Sequence, residues 1–593
     1  MIMSNINNVA DRVIDTDVLV IGSEGAGSRA AIEAAEHCVD VTIVSKGKIA
    51  KSGVTIMAGA DITLDGKSLH ELGFDGDPED SKDKFFRDII VQGFYLNNQR
   101  LVEVYVSDAP NRVKELLDWG LKVYSSGKRE INTTGIEIMR VLSREVRKHD
   151  VEIIEDVMIT DLLTKKDRVI GAVGVDITTG DFIVLKSKAV VLATGGWHTA
   201  YLFNTGSEGL SGDGQAMAYR AGAELVNMEM VTFCPNVIIW PQIYRGSIFL
   251  YVLGMFCGTL LNGIGEKFLE KYNPSIVELA TKTEWNKLLL SLFSTFEIRQ
   301  RKGSPHGGVY FSLKDLTKNE LEKSEAFELM PNWKFQGTHY VNLIEKMLNG
   351  ELVEVGPAAH YFEGGIKINE KCETNLSGLY AAGECGGGLF GANRVVAATT
   401  EILVQGAIAG KYAAEYVKKV QSIDVNLRQV KKFKEKNFAP LNRKIGVKPI
   451  EVKRKIQHIA QQSIGVVRDR KSLKEALEQL QKIRQNELPK IRVTAKVQKY
   501  NKEWIEALEL ENILQVLEIS AKSALMRKES RGVHYRIDHP NVNNNNWLKE
   551  IVIEKRGENI QTKFYPITTT KIEPPKGIMS FEDAILNAIE KCK

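Results

Sequence analysis

The chain has 593 residues, of which 43% are hydrophobic and 26% are charged, and these values are typical of globular proteins. They exclude a disordered tail protein, a collagen-like fibre and a small disulfide-stabilised scaffold. The 79 lysine and arginine residues against 75 aspartate and glutamate residues leave a net charge of +4. That balance is too even to favour nucleic acid or an anionic membrane as the main partner.

The first element is a βαβ unit with a glycine-rich turn. Residues 17–21, DVLVI, are typical of a buried parallel strand, and the turn GSEGAG follows at 22–27. A helical pattern then leads to a second strand at 41–44, and Ser45 follows it. Such turns bring backbone N–H groups close to a diphosphate, and a residue about 20 positions further on meets the ribose. Glu24 replaces a usual glycine, and its carboxylate is unfavourable beside a diphosphate unless it points away.

Later segments continue the same nucleotide-binding pattern. A buried strand at 188–193 ends in Thr194-Gly195-Gly196, Asp213 lies in a tight turn, and Gly383-Glu384 follows another buried strand. One glycine turn predicts little, but four such junctions in order predict one dinucleotide site. From Phe233 the pattern changes to a mixed, aromatic-rich region. From about 415 to 535 the chain is lysine-rich with a helical period, which predicts a helical bundle.

Cysteine usage and hydropathy give the predicted location. The six cysteines include no CxxC pair, so the sequence predicts no zinc or iron–sulfur site and indicates reduced thiols of an intracellular protein. The N-terminus has no apolar h-region, and the most apolar stretch, 247–261, is shorter than the about 20 residues of a membrane-spanning helix. We expect a cytoplasmic protein with no membrane span of its own, peripheral at the membrane only through partners.

The motifs in this order resemble those of the flavoprotein subunit of the succinate dehydrogenase/fumarate reductase family, whose relatives include L-aspartate oxidase and the adenylylsulfate reductase α subunit. The matching segments are VIGSEGAGSRAAIEAA at 20–35, ATGG at 193–196, SGDGQAMAYRAG at 211–222, HYFEGGI at 360–366, GLYAAGECGGGLFGANR at 378–394 and RKESRGVHYRID at 527–538. The resemblance implies an α/β fold: a Rossmann-like FAD-binding domain, an inserted and mobile α+β capping domain, and a C-terminal helical domain. The expected segments are 1–231 and 353–414 for FAD binding, 232–352 for the cap, 415–545 for the helical domain and 546–593 for the C-terminal segment.

The resemblance also implies where FAD binds. The residues expected at the cofactor are Gly22, Gly25, Ala26, Gly27, Ser45, Lys46, Ser52, Gly53, Thr55, Gly59, Val157, Thr194, Gly195, Asp213, Tyr361, Glu384, Arg394, Thr399 and Thr400. Family members with covalent FAD carry a bonding histidine in R-S-H-T, where this chain has KSGVT at 51–55. Gly53 stands at the histidine position and has no side chain, so we expect non-covalent FAD.

The substrate motifs are partly kept. His360 and Arg394 match the family, and the guanidinium of Arg394 suits two-point binding of a carboxylate. The family's proton-donor arginine is expected in RQRKG at 299–303, where Lys302 or Arg301 would take that role. The sequence predicts no metal ligand in this site.

Other substrate groups of the family are lost. FCPN at 233–236 replaces F-H-P-T, with Cys234 as a small polar filler, and the apolar run 250–256 replaces T-E-G-x-R-G-E. A buried carboxylate needs a partner. The sequence therefore predicts weak binding of fumarate and succinate, unless Arg245, Arg301 or Lys302 supplies a second contact.

The leading hypothesis is a catalytic FAD subunit. It would transfer two electrons between FAD and a carboxylate-bearing substrate, and exchange electrons with an iron–sulfur subunit. One alternative is sulfur chemistry like that of adenylylsulfate reductase, favoured by the apolar capping segment. A second alternative is a flavin electron-transfer subunit without its own substrate, favoured by the lost capping motif.

Overall fold

The computed structural model describes residues 6–248, 257–283, 285–323, 341–422, 424–557 and 559–592. The apolar run 250–256, on which the prediction about fumarate and succinate rests, lies outside these residues. Within the described ranges, no helix combines the length and the hydrophobicity that a bilayer span requires.

A seven-stranded sheet, here called the central sheet, confirms the predicted βαβ unit. Its strands are, in spatial order, Val151–Ile154, Val41–Val44, Arg12–Ile21, Phe182–Leu192, Arg168–Asp176 and Val157–Lys165, with Leu379–Ala381 also paired to Phe182–Leu192. The first four and Leu379–Ala381 are parallel, and the other two are antiparallel. Val18, Leu19 and Val20 are fully buried, as expected of a parallel strand covered on both faces.

The first helix, Gly25–Glu36, packs against the central sheet and against a long helix, Ala398–Val417. Glycines allow the two helices to cross closely. A Cβ at Gly406 would come within 2.7 Å of the carbonyl oxygen of Ala26, and one at Gly410 would overlap the backbone of the first helix. This close crossing fixes the start of the first helix beside the carboxyl end of the strand Arg12–Ile21.

A four-stranded antiparallel sheet, here called the second sheet, lies within the mixed region. Its strands are, in order, Val231–Trp240, Val353–Phe362, Val309–Ser312 and Thr259–Leu261. The helix Asn286–Arg299 packs on it, and Ser291 Oγ donates to the carbonyl oxygen of Phe233 at 3.0 Å. The sheet takes strands from both sides of the expected boundary at 352/353, and the domain boundaries stay predictions.

The predicted helical bundle is confirmed. Its helices are Leu427–Asn442, Pro449–Ser463, Arg470–Asn486 and Lys502–Met526. Asn426, Asp469 and Asn501 each accept a backbone N–H with the side chain at the start of a helix, as N-cap residues do. Lys502–Met526 is buried along most of its length, so it forms the core of the bundle.

The other elements surround these units. A five-stranded sheet contains, in order, Gly386–Gly387, Gly365–Lys367, Leu225–Val226, Lys549–Arg556 and Asn559–Pro566. Small sheets pair Asp61–Thr63 with Glu130–Asn132 and Ser125–Ser126, Val467–Arg468 with Tyr535–Arg536, and Asn541–Asn543 with Ile578–Ser580. The remaining α-helices with described bounds are Gly66–Glu71, Lys82–Gln92, Gln99–Asp118, Gly135–Lys148, Asp213–Ala221, Pro274–Lys282, Lys318–Glu322, Val341–Leu348, Asn544–Trp547 and Phe581–Cys592.

Candidate active site

The glycine turn joins the strand Arg12–Ile21 to the first helix. Gly22 has φ +108°, and a Cβ there would overlap the carbonyl oxygen of Ala193. A Cβ at Gly27 would overlap the carbonyl oxygen of Gly22, and one at Gly25 would overlap the side chain of Ile402. The turn therefore requires glycine, and it opens onto a helix N-terminus, whose N–H groups suit a diphosphate.

Glu24 does point away from the turn. Its Oε2 accepts the backbone N–H groups of Val54 and Thr55, each at 2.7 Å. The Thr55 hydroxyl in turn accepts the N–H of Gly25 at 3.4 Å. Burial raises the pKa of the Glu24 carboxyl, while hydrogen bonds from the two backbone N–H groups act in the opposite direction. The segment with Gly53 and Thr55 is thereby tied to the glycine turn.

Ser45 and Lys46 follow the second strand as predicted. The Ser45 hydroxyl accepts from Ser23 Oγ at 2.7 Å, directly behind the glycine turn. The Lys46 ammonium pairs with Asp213 at 2.7 Å and with Glu509 at 2.8 Å. Burial opposes the charge of Lys46, but the carboxylates of Asp213 and Glu509 outweigh it and raise the pKa of this lysine. Lys46 is thus held by protein carboxylates, and the role of Ser45 at a ribose stays a prediction.

Glu384 lies at the carboxyl end of the strand Leu379–Ala381. Its carboxyl oxygens accept the N–H groups of Gly196 at 3.0 Å and Phe362 at 3.3 Å. Burial raises the pKa of Glu384 to about 8, and the charges of Glu401 and Glu24 add to this rise. A carboxyl group that keeps its proton near neutral pH can donate as well as accept a hydrogen bond.

Other expected cofactor residues stand around the same edge of the central sheet. Thr194 Oγ1 accepts the N–H of Gly214 at 3.1 Å, Gly195 has φ +70°, and the Val157 N–H donates to the Ser45 carbonyl at 2.9 Å. Ala26 is buried in the first turn of the first helix. These residues lie where four segments of the chain meet.

The last group comes from two loops and the long helix. Thr400 Oγ1 accepts the N–H of Thr63 and donates to its carbonyl oxygen, both at 2.9 Å, and Thr399 Oγ1 donates to the carbonyl of Asp61. Ser52 instead donates to the Lys48 carbonyl at 2.7 Å, and a Cβ on the exposed Gly59 would meet no atom within 4 Å. Thr399 and Thr400 thus hold the strand Asp61–Thr63, which follows Gly59.

The donor set fits a dinucleotide such as FAD. The glycine turn leaves room for a diphosphate, Ser45 offers a hydroxyl for a ribose, and Glu384 offers a buried carboxyl. Gly53 provides no atom for a covalent bond to the flavin.

His360 projects from the strand Val353–Phe362 of the second sheet. Its Nδ1 is 2.8 Å from Thr205 Oγ1, and its carbonyl oxygen accepts from His198 Nε2 at 2.9 Å. Burial lowers the pKa of His360 well below its ordinary value, and the charges of Arg394 and Lys287 lower it further. His360 is therefore neutral at physiological pH and lies among cationic side chains.

The guanidinium group of Arg394 stacks over the aromatic ring of Tyr361. The Arg394 guanidinium carbon lies 4.6 Å from the centre of the Tyr361 ring, and Nη1 donates to the Val396 carbonyl at 3.0 Å. The Tyr361 hydroxyl donates to Glu401 Oε2 at 2.5 Å. Burial raises the pKa of Glu401 to about 8 and that of Tyr361 well above its ordinary value. Of the sequence-predicted residues, His360, Arg394 and Tyr361 are brought together here.

Lys302, Arg301 and Arg245 are placed elsewhere. The Lys302 ammonium pairs with Glu266 at 3.2 Å, and its side chain is 35% exposed. Arg301 is exposed with φ +61°. Arg245 is also exposed, with its guanidinium carbon 5.0 Å from the centre of the Phe203 ring. Lys302 and Arg301 follow the C-terminal end of the helix Asn286–Arg299. The role of Lys302 or Arg301 as proton donor, and that of Arg245 as a second contact, stay predictions.

Lys287 is the residue that sequence reasoning missed. It lies in the first turn of the helix Asn286–Arg299, and its charge acts on His360 together with that of Arg394. A lysine at a helix N-terminus opposes the helix dipole, and the turns that follow are apolar. A lysine at this unfavourable position, followed by apolar turns, is the sequence feature that could have identified Lys287.

The FCPN segment is buried in the second sheet. Cys234 packs with Val237 and Ala358, in agreement with its expected role as a filler. Asn236 is 2% exposed, and within the described ranges neither polar atom of its amide has a hydrogen-bond partner. Buried amides usually have hydrogen-bond partners. The amide of Asn236 could therefore hydrogen-bond to a ligand in this region.

Two protein families match the chain. Residues 17–130 and 123–399 match the FAD binding domain, and residues 453–578 match a family described as fumarate reductase flavoprotein C-term. The FAD match covers more than half of the chain and includes the glycine turn, His360 and Arg394.

Similar proteins are found along almost the whole length. A subunit of the CoM/CoB fumarate reductase of Methanothermobacter marburgensis is 33% identical over 567 residues, which cover 92% of this chain and 98% of that protein. The fumarate reductase flavoprotein subunit of Haemophilus influenzae is 26% identical, with coverages of 98% and 99%.

Solved structures agree with these similarities. Mycobacterium smegmatis Sdh1 in complex with UQ1 superposes with a TM-score of 0.83 at 29% identity, covering 95% of this chain and 96% of that one. Adenylylsulfate reductase from Archaeoglobus fulgidus shares the fold at a TM-score of 0.74 and 21% identity, with coverages of 95% and 97%. The chain belongs to the fumarate reductase/succinate dehydrogenase flavoprotein family and is an FAD-dependent oxidoreductase.

Proposed function

We propose that the chain is a catalytic subunit that exchanges two electrons between FAD and a small carboxylate-bearing substrate. The observation that carries the proposal is that the positive charges of Arg394 and Lys287 both act on the neutral imidazole of His360, which lies 2.8 Å from the Thr205 hydroxyl. A cluster of cations that is partly shielded from water favours an anionic ligand, because opposite charges attract more strongly where water is excluded. In this family such a subunit works with an iron–sulfur partner, which would take up or deliver the electrons and make any membrane contact.

FAD, when bound, supplies hydride-transfer chemistry. The turn 22–27 and the first helix would hold its diphosphate, Ser45 its ribose, and Glu384 and Thr400 would close the pocket. We propose that binding is non-covalent because Gly53 has no side chain. The C-terminal helices, together with the segment 211–222, would support the cofactor domain from outside.

The substrate would be held by three side chains. Arg394 would bind one carboxylate with its two-point fork, kept in place by the Tyr361 ring beneath it. His360 would donate from Nε2, since the Thr205 hydroxyl at 2.8 Å can give its proton to Nδ1. Reduction of a carbon–carbon double bond requires one hydride and one proton, and Lys287 would supply the proton.

Lys287 changes the expected substrate. The prediction that fumarate binds weakly depended on a missing partner for its second carboxylate. Lys287 is a cation that the prediction did not include, and Asn236, which the prediction counted as a lost polar position, carries a buried amide. We therefore propose a compact dicarboxylate, and the names of two relatives make fumarate the first candidate.

A panel of electron acceptors tests the proposal. The purified FAD-loaded protein is mixed with a reduced viologen dye, and dye oxidation is followed with fumarate, with unsaturated monocarboxylates and with adenylylsulfate. Fast oxidation with fumarate alone supports the proposal. Preference for adenylylsulfate would favour the sulfur alternative, and no turnover with any acceptor would favour an electron-transfer subunit.

A further inference from the structure

Glu24 links two segments that flank the cofactor region. It stands at the N-cap of the first helix, yet its side chain accepts no N–H of that helix. Its Oε2 instead accepts the N–H groups of Val54 and Thr55 at 2.7 Å each. One carboxylate oxygen therefore holds two successive N–H groups of another loop, a strong arrangement because the acceptor is charged.

Glu24 also fills the space beside Gly53. Gly53 has φ +91°, and a Cβ at this position would overlap the Oε1, Cδ and Cγ atoms of Glu24. A side chain at position 53 and the present orientation of Glu24 thus exclude each other. The charge of Glu24 also adds to the rise in the pKa of Glu384, so the two carboxyl groups lie close enough to interact.

We infer that Glu24 is a positioning residue for FAD: it clamps the loop 53–55 onto the N-terminal end of the first helix and makes glycine obligatory at position 53. The absence of a side chain at Gly53 is then a consequence of Glu24 as well as of the backbone conformation. Cofactor retention does not depend on which substrate turns over, so this role stands apart from the choice of substrate.

A double-mutant cycle on the FAD-loaded protein tests the clamp. The variants are Gly53→Ala, Glu24→Gly and the double variant, and the readout is the rate of FAD release, followed by the fluorescence of the freed flavin. We expect Gly53→Ala to speed release at least about tenfold, because an added methyl group overpacks the site. In the Glu24→Gly background the same substitution should speed release by a factor at least about threefold smaller than in the wild type.

The double-mutant cycle separates two effects of Gly53→Ala: the overlap of the new methyl group with Glu24, and the backbone strain of alanine at a positive φ. An alanine at φ +91° is strained in both backgrounds, so this cost cancels in the comparison. Gly73→Ala is the matched control, because Gly73 has φ +90° and a Cβ there meets nothing within 4 Å, and it should leave release unchanged in both backgrounds. Equal acceleration by Gly53→Ala with and without Glu24 would overturn the inference.

Folding failure is also informative. If Gly53→Ala does not fold but the double variant folds and retains FAD, the clamp is supported in its strongest form. If neither folds, the strain at position 53 decides the outcome and the inference is overturned. Glu24→Gln, which keeps the size of the side chain but removes its charge, should release FAD faster than the wild type and slower than Glu24→Gly.

Discussion

The cofactor side and the substrate side of this molecule are built differently. On the cofactor side, the glycine turn and the strand ends hold backbone groups in place, and each feature lies within a few residues of a sequence motif. On the substrate side, His360 comes from the second sheet, Arg394 from a loop and Lys287 from a helix far from both in sequence. Local backbone geometry therefore specifies the first side, whereas long-range packing assembles the second.

The two sides should differ in how they tolerate substitution. A glycine turn tolerates few substitutions, because a Cβ at Gly22 or Gly27 would overlap a carbonyl oxygen. A cation near a substrate can come from any segment that packs nearby. Substitutions on the substrate side should accordingly lower turnover with little effect on FAD retention.

Lys287→Met should have the largest effect. Loss of a proton donor costs roughly 10²- to 10⁴-fold in rate, and methionine keeps the length of the side chain without its charge. The measurement is kcat for fumarate reduction with a reduced dye. Lys302→Met is the matched control just beyond the other end of the same helix, and it should stay within about twofold of the wild type. The reverse ranking of the two variants would restore Lys302 as the proton donor.

Arg394→Lys should have the next largest effect. Lysine keeps the charge but loses the two-point fork, and loss of a well-placed charged contact costs roughly 10²- to 10³-fold in kcat/KM. The thermal unfolding midpoint of the FAD-loaded protein should change little. Unchanged turnover would remove Arg394 from the site.

Glu401 accepts a hydrogen bond from Tyr361, which stacks on Arg394. The titration of Glu401 should change how the free energy of unfolding depends on pH. Burial raises the pKa of Glu401 to about 8 from 4.5. Between these values the folded protein keeps a proton that the unfolded chain releases, so the free energy of unfolding falls as pH rises through this window. Glu401→Gln should reduce that fall by on the order of 2 kcal/mol between about pH 6 and pH 8.

Urea unfolding at several pH values measures the effect of Glu401. The exposed Glu451 provides a control, because Glu451→Gln removes a carboxylate without burial. An identical pH dependence in the wild type and in Glu401→Gln would show that Glu401 does not hold its proton in the folded protein.

Thr205→Val should have the smallest effect. Valine removes the hydroxyl that lies 2.8 Å from Nδ1 of His360, and one lost hydrogen bond lowers kcat/KM by about tenfold. Thr205→Ser keeps the hydroxyl and should recover most of the activity. Failure of serine to recover activity would mean that Thr205 acts by packing rather than by orienting the ring.

The sequence by itself determined the βαβ unit, the glycine turn and the order of the cofactor motifs. These features depend on short-range sterics and on strand and helix periods, which are readable within a few residues. His360 and Arg394 were expected from the sequence because each matches a motif of the family that the chain resembles.

Only the tertiary structure decided which cations join His360 and where Glu24 points. Lys287 and Lys302 occur near the two ends of one helix, and the sequence period does not say which end faces the second sheet. The helix Asn286–Arg299 packs against the strand Val231–Trp240, and the charge of Lys287, at its N-terminal end, acts on His360. Likewise, the direction of the Glu24 side chain depends on the N–H groups of Val54 and Thr55, about thirty residues away, because a buried carboxylate adopts the orientation in which donors satisfy it.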